Sequence, residues 1–413
     1  MFKTRYKSHH DAEFEYNSLV KKTRSSQEEL NKYLNSLDAF SVKDNVIYIH
    51  IPFCDRICSF CNMNRRKIDN TLNTYVNQLV KQILVMGSYG YFRNNVIKAI
   101  YFGGGTPTVL SPKHFELILG SLHRAFKITS DCEITCETTI HNFTNAHLTK
   151  FNLLGINRIS IGIQTFQSAG REFFNRTYNK EEVIKRLKEI RKNFKGCLSI
   201  DKIYNYPGET REMLLDDIKQ IIDLDVDSIS FYSLMIHKGS KLSESLDVND
   251  FSQAQDQEFH DLFVQKLLEH GDFEFLELTK IARKGRDRYC YMGVRNNNGN
   301  TIPLGRGAGG QIDQFQIYNM DFDKIMIVKS EDYKNEVASN IYGICQYPVI
   351  NKQELLKFIK ESLIIDEINS LIEKGYLENF DKTWKMTEKG IFYGNNIGGF
   401  LARKYLEAQV KEL

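Results

Sequence analysis

The sequence predicts an α/β fold, a partial (β/α)6 barrel over residues 45–240. Short apolar runs rich in β-branched residues alternate there with longer amphipathic stretches. Regular alternation of this kind is typical of a parallel sheet covered by helices. Six units are present, which are too few for a closed eight-stranded barrel.

The six predicted strands have the apolar composition of strands that are covered on both faces. They are NVIYIHI (45–51), VIKAIYF (96–102), CEITCETT (132–139), RISIGIQT (158–165), LSIDKIYN (198–205) and SISFYSLMI (228–236). Two of the intervening helices have clear start signals. Ser111 followed by Pro112 opens one of them, and Asn179 precedes KEEVIKRLKEIRKNF in the other.

Three further regions surround this predicted barrel. Residues 1–44 predict a polar, helical N-terminal extension, and residues 241–340 predict an extension of the barrel with a Gly-rich loop. Residues 341–413 predict two helices, a Gly turn and a hairpin, similar to a small winged-helix-like α+β domain. The charge of this last region is nearly balanced, which favours a lid or packing domain over DNA binding.

The overall composition argues against several classes of partner. Lys and Arg number 55 and Asp and Glu 52, a net charge of +3, so no nucleic-acid partner is expected. No apolar run is long enough to span a membrane, and the N-terminus lacks the apolar segment of a secretory signal. We therefore expect a cytoplasmic protein whose eight cysteines form no disulfides.

Three of these cysteines are closely spaced directly after the first predicted strand. Cys54, Cys58 and Cys61 form C-x-x-x-C-x-x-C, at the strand end where parallel α/β proteins place their chemistry. Three thiolates leave one iron of a cubane cluster open to chelate a substrate's amine and carboxylate. A zinc site with His50 as the fourth ligand, or three ordinary thiols, are the alternatives. The remaining cysteines are predicted to be buried thiols: Cys132, Cys136, Cys197, Cys290 and Cys345.

The cysteine motif resembles the signature of radical S-adenosylmethionine (SAM) enzymes. YIHIPFCDRICSFC, together with YFGGGTPT, resembles the branch of oxygen-independent coproporphyrinogen III dehydrogenase-like proteins. The resemblance continues through ETTIHNFTNAHLTKFNLLGINRISIGIQTFQS and IDKIYNYPGET, about half of the chain. It implies a 4Fe–4S cluster on the three cysteines and reductive cleavage of SAM to a 5′-deoxyadenosyl radical.

The same resemblance implies a set of SAM-binding residues. They are Tyr48, Phe60, Gly104, Gly105, Thr106, Glu137, Gln164, Arg176 and Asp201. The residues themselves support part of this set, because a Gly triplet at a strand end lets the backbone approach a ligand closely. The resemblance identifies no catalytic proton donor.

Two features bear on the reaction within the branch. Met63 stands where the decarboxylating members have a further cysteine, and PLGRGAGGQID (303–313) resembles a stretch of anaerobic haem-degrading methyltransferases. The resemblance therefore implies an enzyme that uses two SAM molecules on haem or a related tetrapyrrole. A low-potential electron donor such as flavodoxin or ferredoxin would supply electrons.

Three alternatives remain open, together with the identity of a haem ligand. The alternatives are an oxygen-independent coproporphyrinogen III dehydrogenase, a non-enzymatic haem chaperone and a natural-product methyltransferase. As an alternative role for 303–313, a Gly-rich loop of this kind is a tight turn after a strand. The haem-ligand candidates are His9, His10, His141 and His237.

Overall fold

The computed structural model describes residues 1–36, 43–246, 251–330 and 333–411. Its helices are α1 His9–Asn17, α2 Gln27–Asn35, α3 Leu72–Ser88, α4 Gly90–Asn94, α5 Pro112–Ala125, α6 Asn145–Leu154, α7 Ser168–Phe173, α8 Lys180–Asn193, α9 Arg211–Asp223, α10 Gln253–Glu269, α11 Cys290–Asn296, α12 Lys334–Ile344, α13 Lys352–Leu356, α14 Ile365–Glu373, α15 Glu388–Phe392 and α16 Gly394–Lys411. Its strands are β1 Lys22–Ser25, β2 Asn45–Ile51, β3 Phe53–Cys54, β4 Arg66–Lys67, β5 Val96–Gly104, β6 Lys127–Thr138, β7 Arg158–Gln164, β8 Cys197–Tyr204, β9 Ser228–Ser233, β10 Phe273–Glu277, β11 Lys280–Arg283, β12 Asn300–Leu304, β13 Gly309–Ile312, β14 Phe315–Asn319, β15 Ile325–Ser330, β16 Val349–Asn351, β17 Leu377–Asn379 and β18 Thr383–Met386.

Seven parallel strands, β12, β2 and β5 to β9, form the centre of a 13-stranded sheet, in the order β1-β15-β14-β13-β12-β2-β5-β6-β7-β8-β9-β11-β10. β2 and β5 to β9 correspond to the six predicted strands, so the predicted α/β fold class is confirmed. β6 begins five residues earlier than predicted, because Lys127 and Ile128 pair with Val96 and Ile97 before a register shift. At the two ends of this parallel group, β9 pairs antiparallel with β11 and β12 pairs antiparallel with β13.

The predicted helix starts are confirmed by their capping hydrogen bonds. The Ser111 hydroxyl accepts from the backbone N–H of His114 at 3.3 Å. The Asn179 side chain accepts from the N–H of Glu182 at 3.0 Å, and the Glu182 carboxylate accepts from the N–H of Asn179 at 2.8 Å. Each cap satisfies a backbone donor that the first helical turn leaves unpaired.

The helices cover the outward face of the parallel strands. Alternate apolar residues of β2 and β5, such as Ile47, Ile49 and Phe102, are buried together with Phe115 of α5 and Val183 of α8. The residues between them on the strands face the other side of the sheet, because side chains alternate along a strand. That inner face is polar and aromatic, and it carries the candidate site.

The N-terminal extension differs from its prediction. It contains the helices α1 and α2, but residues Lys22–Ser25 form β1, which pairs antiparallel with β15 at the edge of the sheet. The sequence KTRS lacks the alternation of apolar and polar residues that predicts a strand. These residues are a strand because their backbone pairs with β15. The Gly-rich stretch forms the end of β12, a turn and β13, and thereby extends the sheet beyond β2.

The C-terminal region has the predicted order of elements. α14 is followed by Gly375 at φ +72°, and β17 and β18 then form the hairpin of a three-stranded antiparallel sheet with β16. Trp384, Leu371 and Ile397 belong to the buried core of this region. Among the described helices, none combines the length and apolar character needed to cross a bilayer.

Candidate functional site

The three closely spaced cysteines lie around the loop that joins β3 to β4. Cys54 is the last residue of β3 and is buried, whereas Cys58 and Cys61 are partly exposed. Two hydrogen bonds anchor this loop to the segment that ends α7. The Ser59 hydroxyl donates to the Phe173 carbonyl at 2.8 Å, and the Asn175 amide donates to the Ile57 carbonyl at 2.8 Å.

The donor chemistry of this loop fits an iron–sulfur cluster. All eight cysteines of the chain are free thiols, and thiolates are the usual ligands of such clusters. Burial raises the pKa of Cys54 to about 11 and also raises the pKa of Cys61. Without a metal both thiols are therefore protonated at neutral pH, and cluster binding would release their protons.

The geometry is not that of a mononuclear metal centre. Within the described ranges, no three His, Cys, Asp or Glu side chains converge on a position suited to one metal ion. The thiolates of a cubane cluster bind different irons, so they need not converge in this way. Both ring nitrogens of His50 are already engaged, with the Tyr48 hydroxyl at 3.0 Å and the Asn64 carbonyl at 2.8 Å. His50 is therefore not free to act as a fourth zinc ligand.

The remaining five cysteines match their prediction in part. Cys132, Cys136 and Cys345 are buried, as predicted. Cys197 and Cys290 are partly exposed, which corrects the prediction for these two. Both of them are the first residue of their element, β8 and α11, where the backbone emerges from the core.

The Gly triplet at the end of β5 passes beside Cys54. The N–H of Gly105 donates to the Ile51 carbonyl at 2.8 Å, and that of Thr106 donates to the Phe53 carbonyl at 2.8 Å. A Cβ on Gly105 would lie 2.9 Å from the Cys54 sulfur, closer than van der Waals contact allows. The Thr106 hydroxyl lies 3.6 Å from the same sulfur. Gly105 and Thr106 thus stand directly against the cysteine loop.

A carboxylate and two tyrosines lie next to this triplet. Glu137, near the end of β6, accepts from the Tyr101 hydroxyl at 2.8 Å and from the N–H of Gly104 at 3.3 Å. Burial raises the pKa of Glu137 to about 7, although the Tyr101 hydrogen bond opposes this shift. A Cβ on Gly103 would lie 2.9 Å from the Tyr48 ring and 3.2 Å from Glu137 Oε2. Tyr48 and Glu137 therefore flank the same stretch of backbone.

The other predicted residues form a second group, in which Gln164 ends β7, Asp201 lies within β8, Arg176 follows α7 and Phe60 lies in the cysteine loop. The Arg176 guanidinium lies 5.7 Å from the centre of the Phe60 ring. In the amide orientation that satisfies its neighbours, Gln164 accepts from Arg176 at 2.5 Å and donates to the Asp201 carbonyl at 3.3 Å. The Asp201 carboxylate accepts from the Ser160 hydroxyl at 3.1 Å. All nine residues thus fall into two groups beside the cysteine loop and on the inner strand face.

Sequence reasoning missed a charged cluster deeper on the inner face. Arg158 and Asp287 form a buried ion pair at 2.9 Å. The Tyr289 ring lies 4.5 Å from the Arg158 guanidinium and 4.5 Å from the Lys280 ammonium. Burial lowers the pKa of Lys280, which donates to the Ser230 hydroxyl. Arg158 and Ser160 stand at alternate positions of β7 and so share one face of the sheet. This pattern could have predicted that the inner face is polar.

The Gly-rich loop before β13 packs against the cysteine loop. Gly305 and Gly307 have φ values of +88° and +91°. A Cβ on Gly305 would lie 2.6 Å from the His50 carbonyl, and one on Gly307 would lie 2.7 Å from the Asn64 amide. Both positions therefore favour glycine for two reasons, the positive φ of the turn and the close packing of the backbone. This agrees with the alternative role of the loop as a tight turn after a strand. The loop nevertheless lies next to the candidate site.

The His141 imidazole is engaged beside the first cysteine. Its Nε2 lies 2.5 Å from the Asp55 carboxylate, and Asp55 also accepts from the Asn142 amide at 3.0 Å. The Thr177 hydroxyl lies 3.0 Å from the other ring nitrogen. These contacts occupy both nitrogens of a residue that the sequence offered as a haem ligand.

Comparison with known proteins gives four findings. The model of the Radical SAM superfamily matches residues 48–221. The chain is 27% identical over 377 residues to the Heme chaperone HemW of Buchnera aphidicola subsp. Schizaphis graminum, which covers 85% of this chain and 96% of that protein. It is 26% identical over 282 residues to the Anaerobilin synthase of Escherichia coli O157:H7, which covers 68% of this chain and 63% of that protein. The solved structure of coproporphyrinogen III oxidase (HemN) from Escherichia coli matches the fold with a TM-score of 0.75 at 18% identity, over 91% of this chain and 93% of that one.

Proposed function

Because residues 48–221 match the Radical SAM superfamily, we propose that this chain is a radical SAM enzyme acting on haem or a related tetrapyrrole. The reaction proposed is anaerobic opening of the macrocycle by methylene-radical methyl transfer, with release of iron. The observation that carries the proposal is the placement of the cysteine loop beside the Gly triplet and Glu137, over an inner face rich in tyrosine. The names of the relatives, a haem chaperone and an anaerobilin synthase, support the tetrapyrrole class.

The residues of the site fit the proposed cofactors. Cys54, Cys58 and Cys61 would bind a 4Fe–4S cluster, and when bound, the cluster and SAM supply a 5′-deoxyadenosyl radical. The chain itself supplies orientation and exclusion of water. Glu137 would accept from the ammonium group of SAM. Arg176 would bind a carboxylate, because its Nε is buried and has no hydrogen-bond partner among the described residues.

Each of the predicted cofactor residues has a place in this proposal. The residues proposed to line the first SAM are Tyr48, Phe60, Gly104, Gly105, Thr106 and Glu137, and those proposed to complete the cofactor site are Gln164, Arg176 and Asp201. A second SAM would lie towards the substrate, where the Gly-rich loop adjoins His50. A low-potential donor such as flavodoxin or ferredoxin would reduce the cluster, and the exposed basic residues Arg56 and Lys67 beside the loop suit an acidic donor.

Replacement of Glu137 by Ala is expected to weaken SAM binding about ten- to hundredfold. The reason is the loss of a charge-assisted hydrogen bond, which contributes roughly 1.5–3 kcal/mol. Because the carboxyl pKa is about 7 in the free protein, wild-type affinity should also fall as the pH drops below 7. Calorimetric titration of the reconstituted protein with SAM at pH 6 and pH 8 measures both effects. Equal affinity for the variant and the wild type would exclude this role of Glu137.

The proposed reaction is tested by its products. A methylene-radical methyltransferase consumes two SAM molecules, so we expect S-adenosylhomocysteine as well as 5′-deoxyadenosine, both in haem-dependent amounts. The experiment incubates reconstituted protein anaerobically with haem, a low-potential reductant and SAM labelled in its methyl group. Mass spectrometry should find the label in an open tetrapyrrole. Omission of haem is the control and should suppress S-adenosylhomocysteine.

A specific observation favours one other candidate, and the products of the reaction distinguish a second. The match to the Heme chaperone HemW spans nearly the whole of that protein, which favours a chaperone that binds haem without turnover. That candidate predicts tight haem binding and no label transfer. An oxygen-independent coproporphyrinogen III dehydrogenase would instead give a divinyl product and 5′-deoxyadenosine without S-adenosylhomocysteine. Met63, exposed at the position of the missing cysteine, argues against this second candidate.

A further inference from the structure

His141 connects the cysteine loop to the segment that carries Arg176. The residue lies between β6 and α6, where its side chain is partly exposed. Its Nε2 lies 2.5 Å from the carboxylate of Asp55, the residue that follows Cys54. Its Nδ1 lies 3.0 Å from the hydroxyl of Thr177, the residue that follows Arg176. A single imidazole thus joins the neighbour of a proposed cluster ligand to the neighbour of a proposed SAM-binding residue.

The hydrogen-bonding roles of this imidazole are consistent with both contacts. A carboxylate can only accept, so the Nε2–H of His141 donates to Asp55. The Nδ1 is left to pair with the Thr177 hydroxyl, and the Thr139 hydroxyl lies 3.3 Å from the same nitrogen. Asp55 also accepts from the Asn142 amide at 3.0 Å. Partners on both edges of the ring therefore fix its orientation.

The segment 174–178 has an irregular backbone. Asn175 and Tyr178 have φ values of +55° and +68°, which non-glycine residues rarely adopt. Such a conformation persists only where the surrounding contacts hold it. The Arg171 guanidinium donates to the Tyr178 carbonyl at 2.8 Å, which ties one end of the segment to α7. The contact with the His141 ring ties the segment to the cysteine loop as well.

We infer that His141 is a positioning residue of the cofactor site, which fixes the cysteine loop and Arg176 relative to each other. The inference rests on the cofactor roles proposed above and is independent of the tetrapyrrole substrate. A molecule that binds the cluster at one end and Arg176 at the other needs both at matching positions. Loss of an outer partner of a metal site commonly lowers binding roughly 10- to 100-fold. We therefore expect SAM affinity, rather than cluster content, to depend on His141.

Thr177→Val tests the connection directly, because it removes the hydroxyl that contacts the imidazole and leaves the contact with Asp55. Thr177→Val and His141→Ala should each weaken SAM binding about tenfold, measured by calorimetric titration at equal cluster content. The double variant should bind SAM no more weakly than His141→Ala, because both substitutions break the same connection. His141→Gln, which keeps a donor and an acceptor, should recover most of the affinity.

Two further readouts separate positioning from stability of the loop. Iron and sulfide content should be unchanged, because the hydrogen bonds of Ser59 and Asn175 still hold the loop against the end of α7. In the cluster-free protein, backbone hydrogen exchange in 174–178 should be faster in Thr177→Val and His141→Ala than in the wild type. Asn142→Ala is the matched control, because the Asn142 amide contacts Asp55 but forms no hydrogen bond with the described residues 174–178. It should bind SAM as the wild type does.

The outcomes distinguish this inference from the proposed function. Wild-type SAM affinity in Thr177→Val, additive losses in the double variant, or loss of the cluster in either single variant would overturn the inference and leave the proposed function standing. Failure of the wild type to bind SAM would reject the inference together with the proposed function. A wild type that binds SAM but transfers no label to a tetrapyrrole would contradict the proposed reaction alone.

Discussion

Replacement of Cys54, Cys58 and Cys61 together by Ala is expected to abolish the iron–sulfur signal and all SAM cleavage. These cysteines share one loop that hydrogen bonds fix against the end of α7. Without these three residues the loop has no other thiolate to bind a cluster. Iron and sulfide analysis with electron paramagnetic resonance of the reconstituted variant measures the loss. We expect less than about a hundredth of wild-type 5′-deoxyadenosine formation, because the loss of a partner of a metal ligand alone costs roughly 10- to 100-fold and here the ligands themselves are removed.

The triple replacement should leave the fold intact. Cys58 and Cys61 are partly exposed, so only the buried Cys54 thiol leaves a small void, at a cost of about 1 kcal/mol. Cys345→Ala is the matched control, because that thiol lies in the core of the C-terminal region, away from the loop. It should retain the full cluster content. Persistence of the cluster signal in the triple variant would show that other ligands hold the cluster.

The position of the three cysteines on one loop after the first predicted strand could be predicted because they lie close together in sequence. The eight-residue motif directly follows a strand, so that strand determines where the motif lies. The apolar strand pattern places it at the carboxyl end of the parallel strands. The strands and the caps at Ser111 and Asn179 were predictable for the same reason, since their signals are local. Features of this kind can be predicted from sequence because residues close together in the chain determine them.

The inner wall of the site could not be predicted in this way. Arg158 pairs with Asp287 across 129 positions of sequence, and Tyr289 and Tyr291 enter from a segment beyond the six-unit region. Only tertiary packing brings these residues together. The same reasoning explains β1, whose polar residues form a strand only because β15 offers a partner edge. Contacts of this kind depend on the order of the strands in the sheet, which local sequence patterns do not predict.

Replacement of Gly104 by Val is expected to reduce SAM affinity at least a hundredfold. Gly104 has a φ of +112°, a conformation that β-branched residues rarely adopt. Its Cβ would lie 2.8 Å from the His50 ring, which the Tyr48 hydroxyl and the Asn64 carbonyl hold on both sides. The added atoms must therefore displace the backbone whose N–H donates to Glu137. Since that backbone and carboxylate form the proposed site, SAM binding should fail before the fold does.

Gly155→Val separates this effect from backbone strain alone. Gly155 caps α6 at φ +75°, and a Cβ there would meet no atom within 4 Å. Both variants should lose stability through the strained φ, by about 1–2 kcal/mol. Only Gly104→Val should lose SAM binding, measured by calorimetric titration of reconstituted protein at equal cluster content. If the two variants bind SAM equally well, the Gly triplet is only a turn. The close approach of its backbone to the cysteine loop would then serve packing, and the SAM site would have to lie elsewhere on the inner face.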